Sequence, residues 1–149
     1  MDRLFLRLWL LCGTLDALYA TALAAVRGGS LTGVWLGVAS GPFGDGAQAW
    51  GAAGVLIGVT VHFAIMAAMA GAGLWLARHT VLGEVAPWKA GTLYGLVLYT
   101  VMYGLILPQR FGLPFPDPDR IKLALAMFPH IAFVGLPIFY TVRRTQQPS

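Results

Sequence analysis

GAAGVLIGVTVHFAIMAAMAGAGLWLA, residues 51–77, runs for 27 positions without one charged side chain. As an α-helix it would reach about 40 Å, more than the roughly 30 Å of hydrocarbon in a bilayer. Three further runs read the same way: 4–26, 90–107 and 121–142, interrupted only by Arg7, Asp16 and Lys122. The other 13 of the 16 acidic and basic residues lie outside the runs, as expected of a chain that crosses lipid. An all-α integral membrane four-helix bundle follows, one transmembrane domain over residues 1–149, because a lipid-embedded backbone must close its own hydrogen bonds.

Composition agrees. Hydrophobic residues make up 58% of the 149 and charged residues 11%, which excludes an ordinary water-soluble globule. The net charge of +4 sits at the ends of apolar runs without a basic stripe and interleaved aromatics, so nucleic acid is not an expected partner and the lipid bilayer is. One cysteine, Cys12, excludes an internal disulfide and a multi-cysteine metal site. The N-terminal run has the basic residues and small side chains (Ala20, Ala22, Ala24) of a secretory leader, but Arg7 and Asp16 interrupt it. Cleavage there would leave three spans; four are expected.

Between the first two runs, Leu31, Val34, Trp35 and Val38 recur at helical spacing ahead of GPFGDG. Such a segment is too short to cross, and predicts a short interfacial or re-entrant helix and a tight turn. Pro87 should open the third span and Pro108 close it; Asp117-Pro118-Asp119 should open the fourth with an acidic cap and proline at its first position. Pro129 and Pro137 lie inside the fourth run and predict a bend. Lys and Arg number six on the side of the termini and of the 78–89 loop, and four on the other. That places both termini in the cytoplasm, with the tryptophans as interfacial anchors.

Asp16, His62 and His130 fall near the midpoints of their runs and therefore share one depth, where ionisable groups are costly and need partners. Four-residue spacing aligns Gly54, Gly58, His62 and Met66 on one ridge, Cys12, Asp16, Ala20 and Ala24 on a second, and Gly91, Gly95, Tyr99 and Tyr103 on a third. Gly54, Gly58, Gly91 and Gly95 are the expected helix-packing residues, and the rows could also serve a homo-oligomer. Asp16, His62, Tyr99 and His130 form the expected midplane polar cluster. GTLDALYAT (13–21) echoes GTLYGLVLYT (91–100), and HFAI (62–65) echoes HIAF (130–133), suggesting two tandem helical hairpins.

The histidine in the second span, WKAGTLYGLVLYTVMYGLILP as the third and PHIAFVGLPIFYTVRR in the fourth resemble the YagU-type bacterial inner-membrane proteins over residues 55–144. The resemblance implies a multi-pass helical protein of the bacterial inner membrane and no particular activity.

Three functions suit these residues. The first is a structural or accessory subunit of a membrane complex, its register fixed by the polar cluster. The second is a small proton-coupled transporter or channel in which Asp16, His62 and His130 pass protons. The third is a haem b electron carrier with His62 and His130 as axial ligands. No HExxH, phosphate loop or dinucleotide fingerprint points to an enzyme, no metal site is expected, and VASG around Ser40 lacks the first glycine of a GxSG nucleophile.

Overall fold

The computed structural model describes residues 2–146, and among them every regular element is helical. Helix α1 spans Arg3–Val26, α2 Leu31–Phe43, α3 Gly51–His79, α4 Pro87–Phe111 and α5 Arg120–Gln146. Short 3₁₀ turns at Asp45–Ala49 and Val81–Gly83 precede α3 and α4. Helices α1, α3, α4 and α5 have 24, 29, 25 and 27 residues and are long and apolar enough to cross a bilayer. Large side chains such as Leu18, Leu56 and Ile121 stand 63–70% exposed on them, a surface that water would not tolerate and acyl chains would. The chain is a multi-pass helical membrane protein.

Local chemistry sets the boundaries. Ser30 caps α2 by accepting the Gly33 amide at 3.1 Å, and α2 ends where Gly44 takes a φ of 83° that a side chain would resist. Asp119 is the cap of α5, accepting the amides of Ile121 and Lys122. Pro118 thus lies before the cap, not in the first helical turn; Asp117 bonds the Asp119 amide and braces the cap from outside.

The prolines end nothing. Helix α4 continues through Pro108 to Phe111 and stops at Gly112, whose φ is 66°. Just before Pro108 the helix widens into a π-helical segment, Thr100–Ile106, and α5 does the same over His130–Gly135 ahead of Pro137. A proline lacks a donor and its ring collides with the carbonyl four residues back, and a π turn relieves both by changing the local hydrogen-bond step. The third span is therefore longer than residues 90–107, and the fourth, 121–142 by hydropathy, extends over Arg120–Gln146.

The described residues form two compact units. One contains residues 9–68: α1 from Trp9 onward, α2, and α3 as far as Ala68. Gly54, Gly58, His62 and Met66 make one buried stripe on α3. A Cβ at Gly58 would run into the Trp35 carbonyl oxygen, and one at Gly54 would lie 2.6 Å from Leu36 Cδ2 and 3.0 Å from the Ala47 carbonyl oxygen. These glycines are what let α2 and its following turn lie on the first two turns of α3. Trp9 holds α1 to α3 by donating its indole N–H to the Phe63 carbonyl at 2.7 Å.

The other unit contains residues 2–8 and 69–146. Helices α4 and α5 touch backbone to backbone: a Cβ at Gly95 would lie 2.6 Å from the Ile131 Cα, and one at Gly91 2.9 Å from the Gly135 carbonyl oxygen. Tyr94 reaches from α4 to donate to the Met69 carbonyl at 2.6 Å, and Gly73 gives room for Tyr94 and Ile138. The glycine rows on α3 and α4 are thus occupied by contacts inside the chain, and an oligomer would have to use other faces.

Overpacking against backbone has no rotamer that relieves it. Gly58→Val is expected to lower the stability of the detergent-solubilised protein by about 2 kcal/mol or more. Gly37→Ala, where a Cβ meets nothing within 4 Å, should be neutral or stabilising by about 0.5–1 kcal/mol. Thermal unfolding followed by far-UV circular dichroism checks both.

Candidate functional site: a carboxylate–imidazole pair

His62 lies eleven residues into α3, about 16 Å along the helix and well inside the candidate span. It is 9% exposed. Its Nε2 lies 3.0 Å from the Gly13 carbonyl oxygen of α1. A carbonyl only accepts, so Nε2 carries the proton of this bond and the tautomer follows from it. The other nitrogen, Nδ1, faces Asp16 Oδ2 at 3.9 Å. Gly13 and Asp16 are three residues apart and so lie on one face of α1, which presents a carbonyl and a carboxylate to the two sides of the same ring. Trp35 of α2 and Phe63 wall the imidazole edge-on, with centroids 5.6 and 5.3 Å away.

Glycine makes this possible on both helices. A Cβ at Gly13 would lie 2.7 Å from the Phe63 ring, and Gly58, one turn before His62, admits the Trp35 backbone. At 3.9 Å the imidazole and carboxylate are too far apart for a direct hydrogen bond, yet in low dielectric their charges remain strongly coupled. The arrangement leaves neither ring nitrogen facing an open site, so axial ligation of a haem by His62 would require it to give up Gly13 or Asp16.

Tyr99 and His130 come together in the other unit. His130 begins the π-helical segment of α5 and donates Nδ1–H to the Ala126 carbonyl of its own helix at 2.9 Å. Tyr99 and Tyr103 stand edge-on to its ring at 6.1 and 5.9 Å, stacked on each other at 5.1 Å, and Phe115 lies against Tyr99. Of the four residues of the expected cluster, Asp16 lies with His62 in one unit and Tyr99 with His130 in the other. Gly13, Trp35 and Phe115 are the participants that the sequence reading passed over. Gly13 acts through its carbonyl, which has no sequence signature beyond its three-residue offset from Asp16.

Other polar groups have local roles. Ser40 is fully buried, its hydroxyl donating to the Gly37 carbonyl at 2.7 Å. Among the described residues no three His, Cys, Asp or Glu side chains gather in a metal-binding arrangement. An apolar groove of about 480 Å³ in the residue 9–68 unit is lined by Trp9, Leu10, Val59, Thr60, Phe63 and Ala64. It offers no titratable side chain. Helix length and hydropathy define the class, a polytopic helical membrane protein, and the Asp16–His62 pair lies within two of its candidate spans. In comparisons with protein-family models, curated proteins and solved structures, nothing matches this chain.

At the start of α1, Asp2 accepts the Leu4 amide at 2.9 Å and pairs with Arg78. The Leu4 amide and then the Arg78 guanidinium hold its carboxyl below the usual carboxylate range. A depressed carboxyl contributes stability that is present above its unfolded value, about 3.9, and lost as pH falls through the lower folded value. Acidification below about pH 4 should therefore lower the melting temperature, and Asp2→Asn should flatten that part of the profile. Because the pair is solvent-exposed, the effect should shrink in high salt.

Proposed function

We propose that the chain is a structural or accessory protein of the bacterial inner membrane, in which the Asp16–His62 pair locks the register of α1 against α3. The observation that carries this reading is the engagement of both His62 nitrogens by groups one turn apart on α1. A one-residue slip of either helix would remove the Gly13 bond and turn Asp16 away, leaving buried polar groups unsatisfied in hydrocarbon. Both termini lie on the cytoplasmic side in this proposal, supported by the even number of spans and the surplus of Lys and Arg on that side.

A second reading, proton handling, is favoured by one specific feature. The 3.9 Å gap is wider than a hydrogen bond and the Asp16 side chain is 22% exposed, so a proton can be exchanged there while the His62–Gly13 bond keeps the helix contact.

One preparation separates the two readings. Purified protein in vesicles loaded with a pH-sensitive dye should show no more proton flux than empty vesicles. Asp16→Asn and His62→Ala should each lower the melting temperature, by several degrees for a loss of about 1 kcal/mol, and His62→Gln should recover part of it through its amide donor. Flux above the empty-vesicle level that Asp16→Asn abolishes would establish the second reading and end the first.

A further inference from the structure

The unit of residues 2–8 and 69–146 has two chemically unequal ends. At one, α1 and α4 begin and α3 and α5 finish. Two contacts bring these segments together: Asp2 with Arg78, and Arg143 Nη1 donating to the Gly83 carbonyl at 3.3 Å. Six exposed cations occupy this end, Arg3, Arg7, Arg78, Lys89, Arg143 and Arg144, against two acids, Asp2 and Glu84. One of those acids is already engaged, because Asp2 caps α1 and neutralises Arg78. The other end of the unit carries Arg110, Arg120 and Lys122 against Asp117 and Asp119, a surplus of one.

The cations do more than mark orientation. They come from four chain segments and converge on one rim. Trp75 and Trp88 stand 57% and 55% exposed beside them, at the level where indoles settle among headgroups. Trp75 stacks on His79, and Lys89 lies 5.3 Å from the Trp88 ring centre. Arginine pairs pre-organised forks with phosphate oxygens, while the adjacent indoles anchor the same depth. Resting on the membrane reading above, we propose that this rim binds the headgroups of anionic phospholipids, with Arg143, Arg144 and Lys89 as the contacting cations. Zwitterionic headgroups carry their own ammonium beside the phosphate and gain little from a cationic rim.

Native mass spectrometry of the full chain in mild detergent, titrated in turn with phosphatidylglycerol and phosphatidylcholine, tests this. The expected result is retention of phosphatidylglycerol at several-fold lower lipid concentration than phosphatidylcholine, unaffected by millimolar inorganic phosphate. Lys89→Ala combined with Arg144→Ala should reduce the preference to near unity, whereas Arg120→Ala with Lys122→Ala should keep it; both variants are first checked for wild-type helicity and melting. Arg143→Ala is the second probe and should weaken the preference in the same direction. Equal retention of the two lipids, equal loss in both double variants, or displacement by inorganic phosphate would overturn the proposal. Release of the protein from membranes by alkaline carbonate would overturn the membrane reading instead, and the lipid proposal with it.

Discussion

A backbone in hydrocarbon has no water to complete its hydrogen bonds, and everything in this chain is arranged around that constraint. It forces the four long runs into helices, and it also governs the prolines. In water, Pro137 would be a natural place for a helix to stop. In lipid, stopping so far inside the Arg120–Gln146 span would leave several carbonyls and amides bare, whereas Pro108 lies only three residues before its helix ends at Phe111. The observed solution is a π-helical segment just ahead of each, Thr100–Ile106 and His130–Gly135, which keeps the helix closed while changing its step. A π segment also shifts the rotational phase of whatever follows or lies within it. Tyr103 and His130, both in such segments, meet edge-on.

The same absence of water changes what can hold helices together. Lipid tails are as apolar as the side chains they would replace, so association relies on close packing and polar contacts. Gly58 beneath Trp35, and Gly91 and Gly95 beneath the backbone of α5, supply the first; Trp9 to Phe63, Tyr94 to Met69 and His62 to Gly13 supply the second. All three of these polar bonds end on backbone carbonyls. Each such oxygen retains a second lone pair beyond its helical bond, an acceptor that every helix provides at regular intervals.

That pattern explains what the sequence could and could not reveal. Hydropathy placed the spans because it registers the solvent directly, and four-residue spacing placed the buried stripe Gly54, Gly58, His62, Met66 because a helix repeats nearly at that interval. Helix ends were less legible: Asp119 and Gly112 act through backbone geometry, and a proline was read as a stop when its surroundings made it a passenger. Partners were the least legible. A carbonyl acceptor leaves no trace in residue identity, so nothing in the sequence marked Gly13 as the partner of His62. Phe115, outside every apolar run, gave no sign that it packs on Tyr99 or that its ring would lie 3.1 Å from a Cβ at Gly104.

The tandem echo in the sequence shows why similar strings need not carry similar chemistry. HFAI and HIAF each set a histidine where a glycine-bearing helix comes close: His62 beside Gly13, His130 beside Gly95. The rings then diverge. His62 bonds outward to another helix, so its Nε2 is the protonated nitrogen and its Nδ1 is left to a carboxylate. His130 follows Pro129 and bonds back to Ala126 of its own helix through Nδ1, with tyrosine edges and faces where the other has an acid. The two bonds place a proton on Nε2 of His62 and on Nδ1 of His130. Asp16, facing His62, is three residues from that ring's hydrogen-bond partner Gly13, while Tyr99 and Tyr103 stand edge-on to the His130 ring. The similar strings thus place their histidines in different company: His62 between the carbonyl of Gly13 and the carboxylate of Asp16, His130 against its own helix and two tyrosine rings.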